Sequence, residues 1–278
     1  VVGGGPSGMF FAYEYLKRNP NGEVVIIERG KEVAKRKCPA QDTGKCIKCK
    51  ICNIANGSSG AGAFSDGKMS LFNEDDKDFY VGGSLHQYIG VPETKKVIKY
   101  TDEVYLSFGA TPEVKGTNNP EYTKKLKKAS ENVGLNLISI PIRHLGTDRA
   151  HLVYQKIEKY LRDNNVKTLF ETEVTDLIIS NGCIEGVKYR YPGAEATTEM
   201  YGNKVILAVG RAGSEWLENM CKKHNITSFP APIDIGVRYE LPDSVITDVN
   251  ENLYEGKFIG FPDPYKDKVR TFCQNPSG

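Results

Sequence analysis

The first eight residues constrain this chain most: Val1-Val2-Gly3-Gly4-Gly5-Pro6-Ser7-Gly8. A short apolar run leads straight into Gly3-x-Gly5-x-x-Gly8, and an amphipathic stretch follows. A second apolar run, Glu23-Val24-Val25-Ile26-Ile27, then ends in an acid, Glu28. The order is strand, tight turn, helix, strand and carboxylate. Each part has a task in gripping a dinucleotide. Gly3 permits the tight turn. Gly5 lets the backbone approach a pyrophosphate. Gly8 lets the helix pack closely on the sheet. The helix N-terminus offers free N–H groups and the positive end of its dipole to phosphates. Glu28 can accept hydrogen bonds from ribose hydroxyls. A glycine-rich turn alone is weak evidence and has an ordinary structural reading, so the surrounding context carries the signal.

The chain's 278 residues suffice for one large or two medium domains. An apolar content of 39% and a charged content of 26% suit a globular protein. The formal net charge of +2, with lysines spread along the chain, gives no polyanion track, so no nucleic-acid partner is expected. No apolar stretch approaches the ~20 residues that span a bilayer, and no membrane partner is expected. With no signal peptide visible, the expected location is cytoplasmic. Only Val1 and Val2 precede the first turn, and the chain stops at Phe272-Cys273-Gln274-Asn275-Pro276-Ser277-Gly278. Both ends read as those of a fragment.

Pattern and punctuation give the elements. Residues 9–18 read as a helix stopped by Asn19-Pro20-Asn21-Gly22, and 23–28 as a strand covered on both faces. Residues 31–75 have little periodicity and need a ligand, a metal or a functional loop to justify them. Helices are expected at 93–108, with Val97, Thr101, Val104, Tyr105 and Phe108 on one face, and at 120–133, with Leu126, Ala129 and Val133 inward. A strand is expected over 136–142. Thr147 or Asp148 then caps a helix through Arg162 that turns Leu152, Val153, Ile157, Tyr160 and Leu161 inward. Strands follow at 167–172, 173–180 and 183–191, the last two joined by an Asn181-Gly182 turn. Lys204 to Arg211 reads as a further strand and Gly213 to His224 as a helix. From Pro230, and across Ile233 to Glu240, apolar and polar residues alternate as in a β-strand.

Three separated segments resemble the FAD-binding fold of glutathione-reductase-like flavoproteins. They are Gly3 to Gly8 with Glu28-Arg29-Gly30, then Glu171 to Leu177, then Val205-Ile206-Leu207-Ala208-Val209-Gly210-Arg211. Within that class, Gly60-Ala61-Gly62-Ala63-Phe64-Ser65-Asp66-Gly67-Lys68-Met69-Ser70 is similar to bacterial FAD-dependent dehydrogenases of unassigned substrate. So are the cysteine run from Cys38-Pro39, Pro232 to Arg238, and Arg270 to Cys273.

The resemblance implies an α/β fold: a Rossmann-like FAD/NAD(P)-binding domain with a helical insertion and a truncated β-rich substrate domain. The corresponding boundaries are 1–80 and 146–225 for the FAD-binding parts, 81–145 for the insertion and 226–278 for the start of the substrate domain. The activity implied is hydride transfer between a small-molecule substrate and flavin, with NAD(P)H as a candidate electron donor. An NAD-linked dehydrogenase is the competing enzyme reading. A redox-sensing or RNA-modifying module is the third.

By position, Gly3, Gly5, Pro6, Ser7 and Gly8 would surround the FAD pyrophosphate, and Glu28 with Arg29 would lie at the adenosine ribose. Val174 would offer backbone groups to adenine, though it also reads as an ordinary core valine. Gly62, Asp66, Gly67 and Lys68 would lie near the ribityl phosphate or flavin, although Lys68 also reads as a surface turn lysine. Gly210 and Arg211 close the third segment. Flavoproteins of this kind carry a later Gly-Asp segment for the ribityl chain, and nothing after Gly210 supplies one.

Four of the seven cysteines, Cys38, Cys46, Cys49 and Cys52, fall within 15 residues beside Lys35, Lys37, Lys45, Lys48 and Lys50. Such spacing suits an iron–sulfur cluster or zinc, a redox-active dithiol, or reduced structural thiols, and spacing alone does not choose. The histidines, His86, His144, His151 and His224, are scattered, and no catalytic residue is readable.

Overall fold

The computed structural model describes residues 1–64, 67–72, 81–230 and 233–275. The chain divides into two units, Val1–Gly67 with Thr147–Pro232, and Lys68–Gly146 with Ile233–Gly278.

The first unit is built around parallel pairing. Val2 bridges Ile27 on one side and Leu207 on the other, and Val25–Ile27 pairs in parallel with Lys167–Leu169. The spatial order is therefore 167–169, 25–27, Val2, Leu207. The Val2 amide donates to the Ile206 carbonyl at 2.8 Å, and the Gly3 amide to the Ile27 carbonyl at 2.9 Å. Val24, Ile26 and Ile27 are buried, as a strand covered on both faces requires. The expected strand from Lys204 appears only as this bridge at Leu207.

The helix after the turn runs Pro6–Arg18, starting earlier than its apolar pattern suggested. Pro6 at its first position needs no N–H partner and has φ already set for a helix. Its buried residues are Gly8, Met9 and Ala12. The helix Thr147–Asp163 packs beside it, with the Tyr13 and Tyr160 ring centroids 5.3 Å apart. Ala150, Val153, Tyr154, Ile157 and Leu161 face inward. Leu152, expected inward, is 48% exposed, because the stripe follows Ala150 and Tyr154 instead. The expected cap at Thr147 or Asp148 lies outside the described side chains.

An antiparallel sheet completes this unit. Glu173–Ser180 pairs with Cys183–Arg190, and that strand pairs with Thr198–Tyr201. Asn181 and Gly182 both take positive φ, 51° and 76°, as a two-residue turn matched to strand twist requires. Val174, Leu177, Val187 and Tyr189 from this sheet join Val2, Ile27 and Met220 in one core. The Asp176 carboxylate ties the sheet to the helix Ser214–Lys223 by accepting from Lys223 and from His224 Nε2. Burial works to raise its pKa, but these hydrogen bonds outweigh burial and hold it below the usual carboxylate range.

In the second unit, Lys68–Ser70 pairs with Ile142–His144, and Leu135–Ile138 pairs with Lys257–Gly260, which also pairs with Val269–Arg270. The single strand expected over 136–142 is thus two strands, separated where Pro141 lacks an N–H for a ladder. The two expected helices form as Val91–Ser107 and Pro120–Glu131, the second capped by Asn119 accepting from the Tyr122 amide at 3.0 Å. In the first, Val104 and Tyr105 are buried as expected, joined by Thr94, while Val97 is 41% exposed; in the second, Ser130 is the buried residue, and Val133, 71% exposed, lies past the helix end. The alternation across Ile233 to Glu240 forms no strand. Ile233, Ile235, Val237 and Tyr239 are all exposed, because alternation becomes a strand only where an edge is there to pair with it. No helix among the described residues is long and apolar enough to cross a membrane.

Arg143, almost fully buried, anchors this unit. Its Nε and Nη2 grip both oxygens of Asp102, and its Nη1 donates to the Thr111 carbonyl at 2.8 Å. Removing one partner of such a pair strands a buried charge and costs about 3–5 kcal/mol. Asp102→Ala is therefore expected to lower unfolding free energy by roughly that amount in urea titration, and Asp102→Asn by less.

Candidate dinucleotide site

The glycines at the first turn are fixed by contact. Gly3 sits at φ 101°, and a Cβ there would lie 2.4 Å from the Ala208 carbonyl oxygen. A Cβ on Gly8 would lie 2.1 Å from the Gly3 carbonyl oxygen. Gly5 is different. A Cβ there would meet only the Gly60 Cα, at 3.9 Å. The space beside Gly5 is open, so the residue leaves backbone accessible where a side chain would cover it. No side chain caps the helix that starts at Pro6. An uncapped helix N-terminus beside exposed backbone is the arrangement that receives a phosphate.

Glu28 is 6% exposed and joins three segments. Its Oε2 accepts from the Gly4 amide at 2.7 Å, and its Oε1 accepts from the Gly30 amide at 2.8 Å and the Gly57 amide at 3.0 Å. A carboxylate has about four acceptor sites, so Oε2 retains capacity for one more donor. The sequence reading placed a ribose hydroxyl there. The three amides were invisible to it.

The loop 53–60 lies against the turn. The Ser59 amide donates to the Gly4 carbonyl at 2.7 Å, and a Cβ on Gly60 would come within 3.2 Å of Pro6 Cδ. Arg36 holds this loop. It is 3% exposed and donates to four carbonyls: Asn53 at 2.8 Å, Ile54 at 2.8 Å, and Ser58 and Gly60 at 2.7 Å each. Its guanidinium also lies 4.5 Å from the centre of the Phe64 ring. Burial lowers its pKa to about 10, which leaves it charged at neutral pH. Sequence reasoning missed Arg36. One arginine in a lysine-rich stretch carries no pattern, and its partners are carbonyls that every residue has.

Arg29 links the same loop to the last parallel segment, donating to Asn56 Oδ1 at 2.7 Å and to the Ala212 carbonyl at 2.9 Å. Gly210 enters the short helical turn Arg211–Gly213 at φ 59°. Residues from 3–8, 28–30, 56–60 and 210–213 are thereby tied into one network. Gly62 lies within reach of Tyr154, whose hydroxyl would be 3.3 Å from a Cβ. Val174 is a buried member of the core and pairs with Tyr189. Gly67 takes φ 59°, and Lys68 forms an ion pair with Glu255 at 2.7 Å. Asp66 lies outside the described residues.

The four clustered cysteines are not gathered. Cys38 is half-buried, Cys46, Cys49 and Cys52 are exposed, and all are free thiols. Among the described residues no group of three or more His, Cys, Asp or Glu side chains is placed to hold a metal. The neck of the loop is nonetheless closed. Asn53 Nδ2 donates to the Lys37 carbonyl at 2.8 Å, and Arg36 Nε donates to the Asn53 carbonyl at 2.8 Å.

No protein-family model matches the chain. An uncharacterized protein of Clostridium beijerinckii is 25% identical over 292 residues, which takes in all of this chain and 44% of that protein. The chain thus spans less than half the length of that relative. Among solved structures, L-amino acid deaminase from Proteus vulgaris aligns over 81% of this chain and 49% of its own, with 14% identity and a TM-score of 0.42. L-Proline dehydrogenase from P. horikoshii aligns over 82% and 55%, with 16% identity and a TM-score of 0.41. THI4 from Thermovibrio ammonificans aligns over 81% and 60%, with 13% identity and a TM-score of 0.39. Scores this low do not fix a fold.

Arg36→Met keeps much of the side-chain volume but leaves four carbonyls without their donor. The expected result is a loosened 53–60 loop, seen as faster amide exchange at Ser59 and Gly60. A stability loss of about 1–3 kcal/mol should accompany it.

Proposed function

We propose that this chain is the FAD-binding part of an oxidoreductase that moves hydride between a small-molecule substrate and flavin. The observation that carries the reading is the turn itself: open at Gly5, backed by an uncapped helix, and bordered by a buried carboxylate with an acceptor site to spare. Those features fit a dinucleotide on physical grounds. The preference for FAD over NAD comes from the resemblance of the Glu171–Leu177 and Val205–Arg211 segments to flavoproteins.

In this reading the Gly5, Ser7 and Gly8 backbone holds the pyrophosphate. Gly3 and Gly8 keep turn, helix and strand close enough to present it. Pro6 starts the helix with its φ already set. Glu28 takes a ribose hydroxyl at Oε2 while its other contacts keep the turn in shape. Arg29, tied to Asn56 and Ala212, fixes the edge of the same site beside Gly210 and Arg211. Val174 presents backbone to the adenine, and Gly62 and Gly67 line the route toward the ribityl chain. When bound, FAD would supply the two-electron acceptor, and the protein's part is to place it and exclude water. The substrate, the electron acceptor and the activity of the longer protein belong to this proposal as well.

The test is uptake of FAD by the purified chain, read as flavin absorbance that stays with the protein through gel filtration. The wild-type chain is expected to bind FAD and to prefer it to NAD. Gly5→Val should weaken uptake at least about tenfold, equivalent to ~1.4 kcal/mol, while circular dichroism stays unchanged. A chain that binds NAD and rejects FAD would overturn the flavin assignment. Equal FAD binding by wild type and Gly5→Val would overturn the placement of the pyrophosphate.

A further inference from the structure

The loop from Cys38 to Cys52 has no core of its own. Every residue from 41 to 52 is exposed, Ile47 and Ile51 included. Its one regular element is the four-residue helix Ala40–Thr43. Among the described residues, those from 39 to 51 hydrogen-bond only with one another and with the Cys38 carbonyl. A loop this long without a core is a candidate for function.

Its four thiols are dispersed, yet the neck sets two of them apart. Arg36 has extended backbone, with φ −79° and ψ 108°, and its side chain reaches across the neck to the Asn53 and Ile54 carbonyls. Side chains alternate along an extended chain, so Cys38 points to the same side as Arg36, and Lys37 to the other. Burial follows that alternation: Arg36 is buried, Lys37 exposed and Cys38 half-buried.

On the facing segment, Cys52 directly precedes Asn53, whose side chain donates to the Lys37 carbonyl at 2.8 Å. The Cys52 carbonyl is held as well, accepting from the Asn56 amide at 2.8 Å and from Asn56 Nδ2 at 3.1 Å. Burial lowers the Arg36 pKa, while Glu28 and then Cys52 work to raise it, which puts the Cys52 sulfur within electrostatic reach of the guanidinium. Arg36 therefore has a thiol on each segment: Cys38 two residues along its own, and Cys52 across the neck. Cys46 and Cys49 lie further out on the loop.

We propose that Cys38 and Cys52 are a redox pair, joined as a disulfide by hydrogen peroxide and reopened by thiols, and that this bond latches the neck of the loop. Cys52 is attacked first, since it is exposed and has a cation near it. Its sulfur displaces hydroxide from the peroxide and becomes a sulfenic acid. The Cys38 thiol then attacks that sulfur and releases water. Across both steps the two thiols give up two electrons and two protons, and one peroxide becomes two waters. The return consumes two thiol reductants, which leave as their own disulfide. The latch bears on the glycine turn, because residues 53–60 follow directly from Cys52 and the Ser59 amide holds the Gly4 carbonyl. The pair stands on the geometry of the neck and is independent of the flavin reading.

The reduced chain would be treated with a small excess of hydrogen peroxide, both folded and in urea. Remaining thiols would be alkylated and the disulfides mapped by mass spectrometry. In urea the pairing follows spacing, so the short loops Cys46–Cys49 and Cys49–Cys52 close at the lowest entropic cost. In the folded chain the Cys38–Cys52 bond is expected to dominate and to be reversed by dithiothreitol. A chain carrying Cys46→Ser and Cys49→Ser should form it at an unchanged rate. The Asn56 amide, bonded to the Cys52 carbonyl, should exchange at least about tenfold more slowly after oxidation. A folded chain that joins any other two thiols, or none, overturns the pair. Unchanged exchange at Asn56 overturns the latch.

Discussion

The first unit depends on what happens to one buried carboxylate. Burying an unpaired charge is costly, and Glu28 offsets that cost by collecting the Gly4, Gly30 and Gly57 amides. Each amide belongs to a different stretch of chain. Glu28 therefore does two things at once: it shapes the glycine turn, and it brings the 56–60 loop to that turn. Arg36 is the complementary device. It is a buried cation satisfied by four loop carbonyls and the face of Phe64. Together they give an irregular loop a defined conformation without secondary structure of its own.

The legible part of this fold was the part with a period or a punctuation mark. The turn, the following helix, the strand ending in Glu28 and the Asn181-Gly182 hairpin all follow from local rules, and all are present. The facing of helices was legible only in part. Val104, Tyr105, Val153, Ile157 and Leu161 are buried as their spacing predicts, yet Leu152, Val97 and Val133 are exposed while Ala150, Thr94 and Ser130 are buried. Small residues go inside where elements approach closely, and a count of large apolar side chains cannot see that. The alternation over Ile233 to Glu240 misled for another reason. Period two describes a residue pattern, whereas a strand also needs a neighbouring edge, and no local stretch of sequence contains one.

The candidate site divides along the same line. Gly3, Gly5, Gly8 and Glu28 announce themselves by spacing. Arg36 and Asn56 do not, because each acts through carbonyls or side chains contributed by residues distant in sequence. The cysteine run shows the reverse case, a conspicuous pattern whose side chains the fold leaves dispersed. The 38–52 loop leaves the unit at a neck closed by Asn53 on Lys37, and Asn56 binds the Cys52 carbonyl just past it. Asn56 also receives Arg29 at the glycine-turn network. Any chemistry that drew the cysteines together would pull on a residue already wired to that network.

Positive φ falls on glycines and on larger residues in both units, Ser59 at 75° beside the glycine turn among them. In the first unit, positive φ at the turn falls on Gly3, where close approach to Ala208 leaves no room for a side chain. The site there is made of backbone, and glycine supplies it without strain. In the second unit, positive φ falls on Tyr254, a residue with a large ring and a real conformational penalty of order 1–3 kcal/mol. A glycine would relieve that penalty but would remove the surface on which Lys115, Lys68 and His144 converge. Backbone exposed by glycine suits a ligand gripped through its phosphates.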